Sequence, residues 1–187
     1  MNLSRSMPVI GSKKLEPFPH TIITLSAAEY QEILDAWPSE FKVSRSGLKE
    51  NAPGLDFSWK TELGKQLCEL FDLDGIPTKG RFMSRKAGYK LPPHIDPPGL
   101  NITIIHYLPL EGQGEEAGTV LYKSRKIPQW EEGKSTIYLW LEDCQPVMTV
   151  PFRARTGLAF PNTPKAIHGV PKTSVERRLY QWHLAAL

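Results

Sequence analysis

Hydrophobic positions recur at two different periods along this chain, and the change of period divides it. Leu25-Ser26-Ala27-Ala28-Glu29 reads as a capping box, with the Ser26 side chain closing the first helical turn and Glu29 reaching back. Tyr30, Ile33, Leu34 and Trp37 follow at i, i+3, i+4 and i+7, one apolar helix face, and Pro38 ends the run. A second helical pattern carries Trp59, Leu63, Leu67, Leu70 and Phe71, with Gly75 as its stop. Ahead of both, residues 1–20 are rich in Ser, Lys and Pro and are expected to form an irregular arm.

Beyond Gly75 the period shortens. Strands are expected around Arg81–Ser84, Leu91–Asp96, Asn101–Leu108, Thr119–Lys123, Ser135–Leu141, Val147–Val150, Thr156–Phe160, Ala166–Val170 and Arg178–Leu184. The run Asn101-Ile102-Thr103-Ile104-Ile105-His106-Tyr107 is apolar at both parities, as in a strand covered on both sides. Eight or so short strands after two helices predict a mainly-β fold. The architecture expected is a double-stranded β-helix (jelly roll, cupin-like) with two N-terminal helices packed on it. No internal repeat interrupts the pattern. The chain reads as a single domain over 1–187, with an arm and helices in 1–80 and the β core in 81–187.

Composition agrees and narrows the function. With 187 residues, 40% hydrophobic and 23% charged, one packed domain is expected. Pro 17 is high for this length and, with Gly 14, favours many turns between short strands. A net charge of +3 gives no electrostatic case for nucleic acid. Cys68 and Cys144 belong to no CxxC spacing and read as reduced thiols. No apolar run near the start suggests a signal peptide, and none approaches the roughly 20 residues of a membrane span. The expectation is a cytoplasmic protein without a membrane or nucleic-acid partner.

Chemistry concentrates in His94-Ile95-Asp96, His168-Gly169-Val170 and Arg177-Arg178. Alternate residues of a strand share a face, so His94 and Asp96 would project together while Ile95 points away. Two histidines and a carboxylate can occupy one face of an octahedral metal and leave three positions open, the ligand set of non-haem Fe(II) oxygenases. An isolated HxD triplet is a weak signal, and a lone His168 in an apolar stretch is more often a core residue. The combination with a jelly-roll strand count and a following arginine points to a metal. Gly169 would leave room near it.

Around these residues the chain resembles the Fe(II)/2-oxoglutarate-dependent dioxygenases, in their small prolyl-hydroxylase-like branch. The resemblance covers about residues 81–187 and lies in HIDPPGLNITIIHYLPL, GTVLY, GLAFPNTPKAIHGV and RRLYQWHL. It implies that His94, Asp96 and His168 bind Fe(II). It implies an arginine anchor for the distal carboxylate of 2-oxoglutarate, a bidentate pair that fixes position and orientation. Arg177 and Arg178 compete for that role. Alternation puts Arg178 with Tyr180, Trp182 and Leu184, an apolar inward face, and Arg177 with Leu179, Gln181 and His183; Arg178 is favoured. Tyr107 stands where relatives place a tyrosine hydroxyl on the same carboxylate, and equally reads as a core aromatic. Thr103 shares its side of the strand. His106 faces the other way and reads as a packing or surface residue; His20 and His183 carry no spacing argument.

The resemblance further implies hydroxylation, with O2 and 2-oxoglutarate consumed through an Fe(IV)-oxo species. Two departures from the family pattern stand out. Ala117-Gly118-Thr119 replaces a Gly-Gly pair, and Leu179 or Tyr180 stands where many relatives have a small polar residue. Retention of Asp96 favours hydroxylation over halogenation. Substrate choice is open. The length favours a small molecule, an amino acid or natural-product intermediate, over a peptidyl side chain. Arg153 and Arg155 near Phe152, and Lys123, Arg125, Lys126 and Trp130 in a loop, read first as solvated faces. The competing readings are a metal cupin that does not use 2-oxoglutarate and a non-catalytic jelly-roll binding module.

Overall fold

Fourteen strands, two α-helices and two 3-10 turns form among the described residues of the computed structural model, which are 7–43, 49–130 and 136–186. In chain order the strands and α-helices are β1 (Val9–Ile10), β2 (Thr21–Thr24), α1 (Ala27–Asp35), β3 (Lys42–Val43), β4 (Lys49–Pro53), α2 (Trp59–Phe71) and β5 (Ile76–Pro77). There follow β6 (Arg81–Arg85), β7 (Leu91–Ile95), β8 (Leu100–Tyr107), β9 (Thr119–Ser124) and β10 (Ile137–Tyr138). The last four are β11 (Cys144–Val150), β12 (Thr156–Pro161), β13 (His168–Val170) and β14 (Arg177–Ala185).

Each helix forms where its local chemistry asks for one. Ser26 accepts from the Glu29 N–H while the Glu29 carboxylate accepts from the Ser26 N–H, so both halves of the capping box are present in α1. Helix α2 ends at Asp72, which takes the left-handed conformation itself, so Gly75 is not the cap.

The strands form two antiparallel sheets. The larger runs β1-β2-β12-β8-β14-β6-β4-β3, with β5 also on β14; the smaller runs β10-β7-β13-β9-β11. Three apolar layers result. Ile102, Ile104, Tyr180, Trp182 and Leu184 of the larger sheet pack against Ile33 of α1 and Leu63 and Leu67 of α2. Met83, Ile105, Leu121, Phe160 and Leu179 fill the space between the sheets. Ile95, Val120, Tyr122 and Ile167 cover the outer face of the smaller sheet. The strand β8 is thus covered on both sides, as its unbroken apolar pattern requires.

Residues 7–20 are irregular apart from β1 and one bridge, yet they are tied to the body of the fold; 1–6, the start of the expected arm, lie outside the described residues. β1 pairs with β2, Lys14 bridges to His20, and Phe18 and His20 are buried. β2 then joins β12, and β4 joins β6, so segments before and between the helices extend the larger sheet on both sides. The β-branched run Thr21-Ile22-Ile23-Thr24 carried that signal, whereas Lys-Glu-Asn-Ala-Pro at 49–53 has no alternation to read. The nine strands expected after Gly75 all form, with shifts of a few residues at some ends; Ser135, at the start of one, lies outside the described residues. No helix among the described residues is long and apolar enough to cross a membrane.

Candidate metal centre

His94 and His168 face each other across the β7–β13 ladder, directly paired in register. Their ring centroids lie 4.2 Å apart. This close approach depends on Gly169, because an added Cβ there would meet the Leu91 carbonyl oxygen at 2.8 Å. The space Gly169 leaves is therefore for the backbone of β7. Asp96 follows the last residue of β7. Pro97-Pro98-Gly99 then turns the chain, with Gly99 at φ +90°, a conformation that favours glycine. The turn brings β8 back so that the Thr103 hydroxyl donates to Asp96 Oδ2 at 2.8 Å.

The donor atoms of His94, Asp96 and His168 all lie within 4.8 Å of one another. His94 Nε2 is 3.8 Å from Asp96 Oδ1 and His168 Nε2 is 3.9 Å from Asp96 Oδ2, too far for hydrogen bonds. Each Nδ1 instead lies 3.0 Å from a carbonyl two residues back, Pro92 for His94 and Ala166 for His168. A carbonyl can only accept, so each Nδ1 carries the proton and each Nε2 turns a lone pair toward Asp96. Second-nitrogen contacts of this kind orient metal-binding histidines. Burial, with His168 close by, pushes the His94 pKa down to about 4. Burial opposes ionisation of Asp96, but His168, His94 and the Thr103 hydroxyl outweigh it and hold the carboxyl below its ordinary value. Two imidazoles that turn Nε2 toward one carboxylate suit a divalent cation with imidazole and oxygen preference, iron among them.

The same cavity continues to Arg177. Its guanidinium is buried (3% exposed) and donates to the Ala117 carbonyl at 2.6 Å and to Thr119 Oγ1 at 2.8 Å. Tyr107 donates to the same Thr119 oxygen at 2.7 Å, with its ring 5.5 Å from the guanidinium carbon. Thr119 Oγ1 thus accepts twice, which leaves its own O–H to donate to a third partner. Burial raises the Tyr107 pKa and lowers that of Arg177, and each tempers the shift of the other. Arg81, Arg85 and Arg177 line this cavity, and Asp96 is the single carboxylate among its described lining residues. The balance favours a small anion beside the candidate metal ligands.

The alternation argument for Arg178 chose the wrong face. Tyr180, Trp182 and Leu184 are apolar because they pack under the helices, outside the space between the sheets. Arg178 shares that outer face, pairs with Glu176 at 2.9 Å and lies 4.9 Å over the Trp37 ring. Arg177, with Leu179 and Gln181, lines the metal cavity. On β14 the inward residues Arg177 and Gln181 are polar where they line the cavity, while the unbroken apolar set Tyr180, Trp182 and Leu184 belongs to the helix side.

Other residues sort as follows. Thr103 acts on Asp96. His106 is fully buried under Trp59 and Trp182. His183 is close enough to Asp96 for their charges to interact, and burial pushes its pKa down to about 4. Arg153 meets Glu115 and Arg155 donates to the Leu25 carbonyl, and neither lines the metal cavity. Trp130 Nε1 donates to the Asp96 carbonyl at 3.0 Å. The sequence reading missed Thr119, Arg81, Arg85 and Tyr138. Thr119 had a signal in its place after Gly118 at the head of an apolar strand; the others had none.

No protein-family model matches this sequence, and no curated protein is detectably similar to it. Solved structures are. A prolyl hydroxylase from Trichoplax adhaerens, in complex with a hypoxia inducible factor peptide, superposes with TM-score 0.55 at 16% identity over 91% of this chain and 86% of its own. The epimerase SnoN, with Fe3+, alpha ketoglutarate and nogalamycin RO, gives 0.60 at 16% identity over 89% and 78%. HygX from Streptomyces hygroscopicus, with nickel, 2-oxoglutarate and hygromycin B, gives 0.56 at 13% identity over 89% and 82%. The chain therefore has the jelly-roll fold of the Fe(II)/2-oxoglutarate oxygenases.

Proposed function

We propose that this protein is a non-haem iron enzyme that uses 2-oxoglutarate and O2 to oxidise a small organic molecule. The observation that carries the reading is one cavity holding both halves of the required site. At one end are two Nε2 lone pairs and a carboxylate; at the other, a buried arginine with a hydroxyl left to donate. His94, Asp96 and His168 would hold Fe(II). Arg177, supported by the Thr119 and Tyr107 hydroxyls, would hold the distal carboxylate of 2-oxoglutarate by charge-assisted hydrogen bonds. Iron with 2-oxoglutarate supplies the activation of O2 and the oxidising power. The chain supplies orientation. The Pro92 and Ala166 carbonyls fix the rings, Thr103 fixes the carboxylate, and the surrounding apolar layers exclude water.

Hydroxylation is the outcome we assign, since hydroxylases recur among the similar structures; SnoN, an epimerase, shows that one fold serves both. The test is an anaerobic titration of metal-free protein with Fe(II) and 2-oxoglutarate, followed by the visible charge-transfer band of the chelate. A saturable band that disappears in His94→Ala supports the assignment. Iron binding without a band sinks it and moves the protein to the metal cupins. With a substrate in hand, a product heavier by one oxygen separates hydroxylation from epimerisation.

A further inference from the structure

The metal cavity encloses only about 170 Å3. Pockets that hold a drug-sized ligand span roughly 300–1,000 Å3, so a co-substrate leaves little room beside the metal for the body of another molecule. A larger groove of about 710 Å3 adjoins it, and Leu91, Tyr138 and Val170 line both. Tyr138 stands at the junction: it pairs with His94 in the β10–β7 ladder, with ring centroids 5.8 Å apart, yet is 56% exposed.

From Tyr138 the groove runs back along β7. Trp140 and Leu141 form an exposed wall, at 76% and 64%. Neighbouring exposed apolar side chains beside a reactive centre mark a binding surface more often than chance. The charged residues lining the groove are Lys90 and Lys172, and no carboxylate lines it among the described residues. Val170 pairs with Leu91, so both lysines sit at the same end, just beyond the β7–β13 ladder. His94 is four residue steps along the chain from Lys90, which at ~3.3 Å each puts the cationic end about 13 Å from the candidate metal ligands.

We propose that this groove holds the substrate, and that the substrate is an elongated, aromatic small molecule with one anionic group. The anion lies on Lys90 and Lys172, the rings lie along Trp140 and Tyr138, and the opposite end reaches the metal cavity past Tyr138. The site of oxidation is therefore remote from the acid group. This rests on the iron-enzyme reading for the chemistry, though binding itself does not require it.

The test uses biphenyl-4-carboxylate and its neutral carboxamide as probes on the full chain loaded with Mn(II), with and without 2-oxoglutarate. Saturable binding is expected, with the carboxylate preferred about fivefold, the scale of exposed ion pairs. Lys90→Gln with Lys172→Gln should erase that preference, and Trp140→Ala should weaken both probes about tenfold, as for an aromatic anchor. Mn(II) should broaden the proton signals of the ring far from the carboxylate more than those of the near ring. No binding, no charge preference or the reverse broadening order overturns the proposal. So does a wild-type dimer that Trp140→Ala dissociates, since a second copy would then cover the groove. The two readings fail separately: loss of the iron–2-oxoglutarate band leaves lysine-dependent probe binding intact if only the iron-enzyme reading is wrong.

Discussion

His94 and His168 on one side and His106 on the other are buried to nearly the same degree, at 4%, 5% and 0% exposed. Their surroundings differ completely. Each ring of the pair spends Nδ1 on a backbone carbonyl and turns Nε2 toward Asp96. His106 spends Nε2 as acceptor for Trp182 Nε1 at 3.0 Å, so its Nδ1 carries the proton, with no hydrogen-bond partner among the described residues. Trp59 stands edge-on to it at 5.5 Å, and burial with Lys60 nearby pushes its pKa down to about 3. Burial therefore does not single out a candidate ligand histidine. What sets His94 and His168 apart is an Nε2 facing the carboxylate of Asp96.

The sharpest way to break this contrast is to delete each ring. His94→Ala and His168→Ala should each lower metal affinity by more than ~100-fold, beyond the loss seen for mere supporting residues, and abolish succinate formation. His106→Ala should leave metal affinity unchanged. It should cost about 3 kcal/mol of folding stability, from the cavity and the orphaned Trp182 donor. Metal titration and urea unfolding of the three variants decide it. A His106 variant as defective in metal binding as His94→Ala ends the distinction.

The two faces of β14 offer the next test. Arg177→Ala should weaken 2-oxoglutarate binding by about 10- to 100-fold, the worth of a charge-assisted contact, while Fe(II) still binds. Arg178→Ala should leave it within about twofold, since the half-buried Arg178 pairs with Glu176 on the helix side and does not line the cavity. Equal losses in the two variants would remove the assignment of Arg177. The affinity is read from the charge-transfer band.

This pair also shows what the sequence carried and where it stopped. The nine later strands and both helices were legible because alternation and capping are local. The triad was legible because His94 and Asp96 are close in the chain and His168 sits in a short strand motif. The face of Arg178 was not, because β14 is buried on both sides and its longest apolar set, Tyr180, Trp182 and Leu184, belongs to the helix layer while Leu179 lies between the sheets. Parity told which residues travel together but not which side holds the cavity. β4 was illegible for a related reason: Lys-Glu-Asn-Ala-Pro joins the sheet through backbone bonds to β6, which leave no trace in side-chain pattern.

Acid sharpens the first comparison further. The folded pKa of His106 is about 3, below its ordinary 6.5, so between these values the unfolded chain binds more protons than the folded one. Its contribution to stability is complete above pH 6.5 and is lost as pH falls toward 3. A single such group adds up to about 1.4 kcal/mol per pH unit to the slope. His94 and His183, both pushed down to about 4, act in the same direction. His106→Leu should therefore flatten the fall of urea midpoints between pH 6.5 and 4 without removing it. An unchanged slope would show that His106 is not held neutral by its burial.

The smallest effect tests whether Thr103 belongs to the metal centre or to the packing of β8. Its hydroxyl donates to Asp96 Oδ2, and the side chain is wholly buried. Thr103→Val keeps the β-branch and replaces the hydroxyl with a methyl, so the strand should retain its register. What is lost is the proton that holds the carboxylate. Metal affinity should fall about tenfold, the lower range for groups that orient a ligand, with 2-oxoglutarate binding at saturating metal little changed. The Asp96 carboxyl should also ionise at higher pH, since the hydroxyl is one of the groups that lower it. The pH at which metal affinity is half lost then moves upward from its wild-type value only as far as Asp96 controls it. Thr103→Ser, which restores the hydroxyl without the methyl, should recover metal affinity. A Ser variant as weak as Val would mean that packing, not the hydrogen bond, positions the carboxylate.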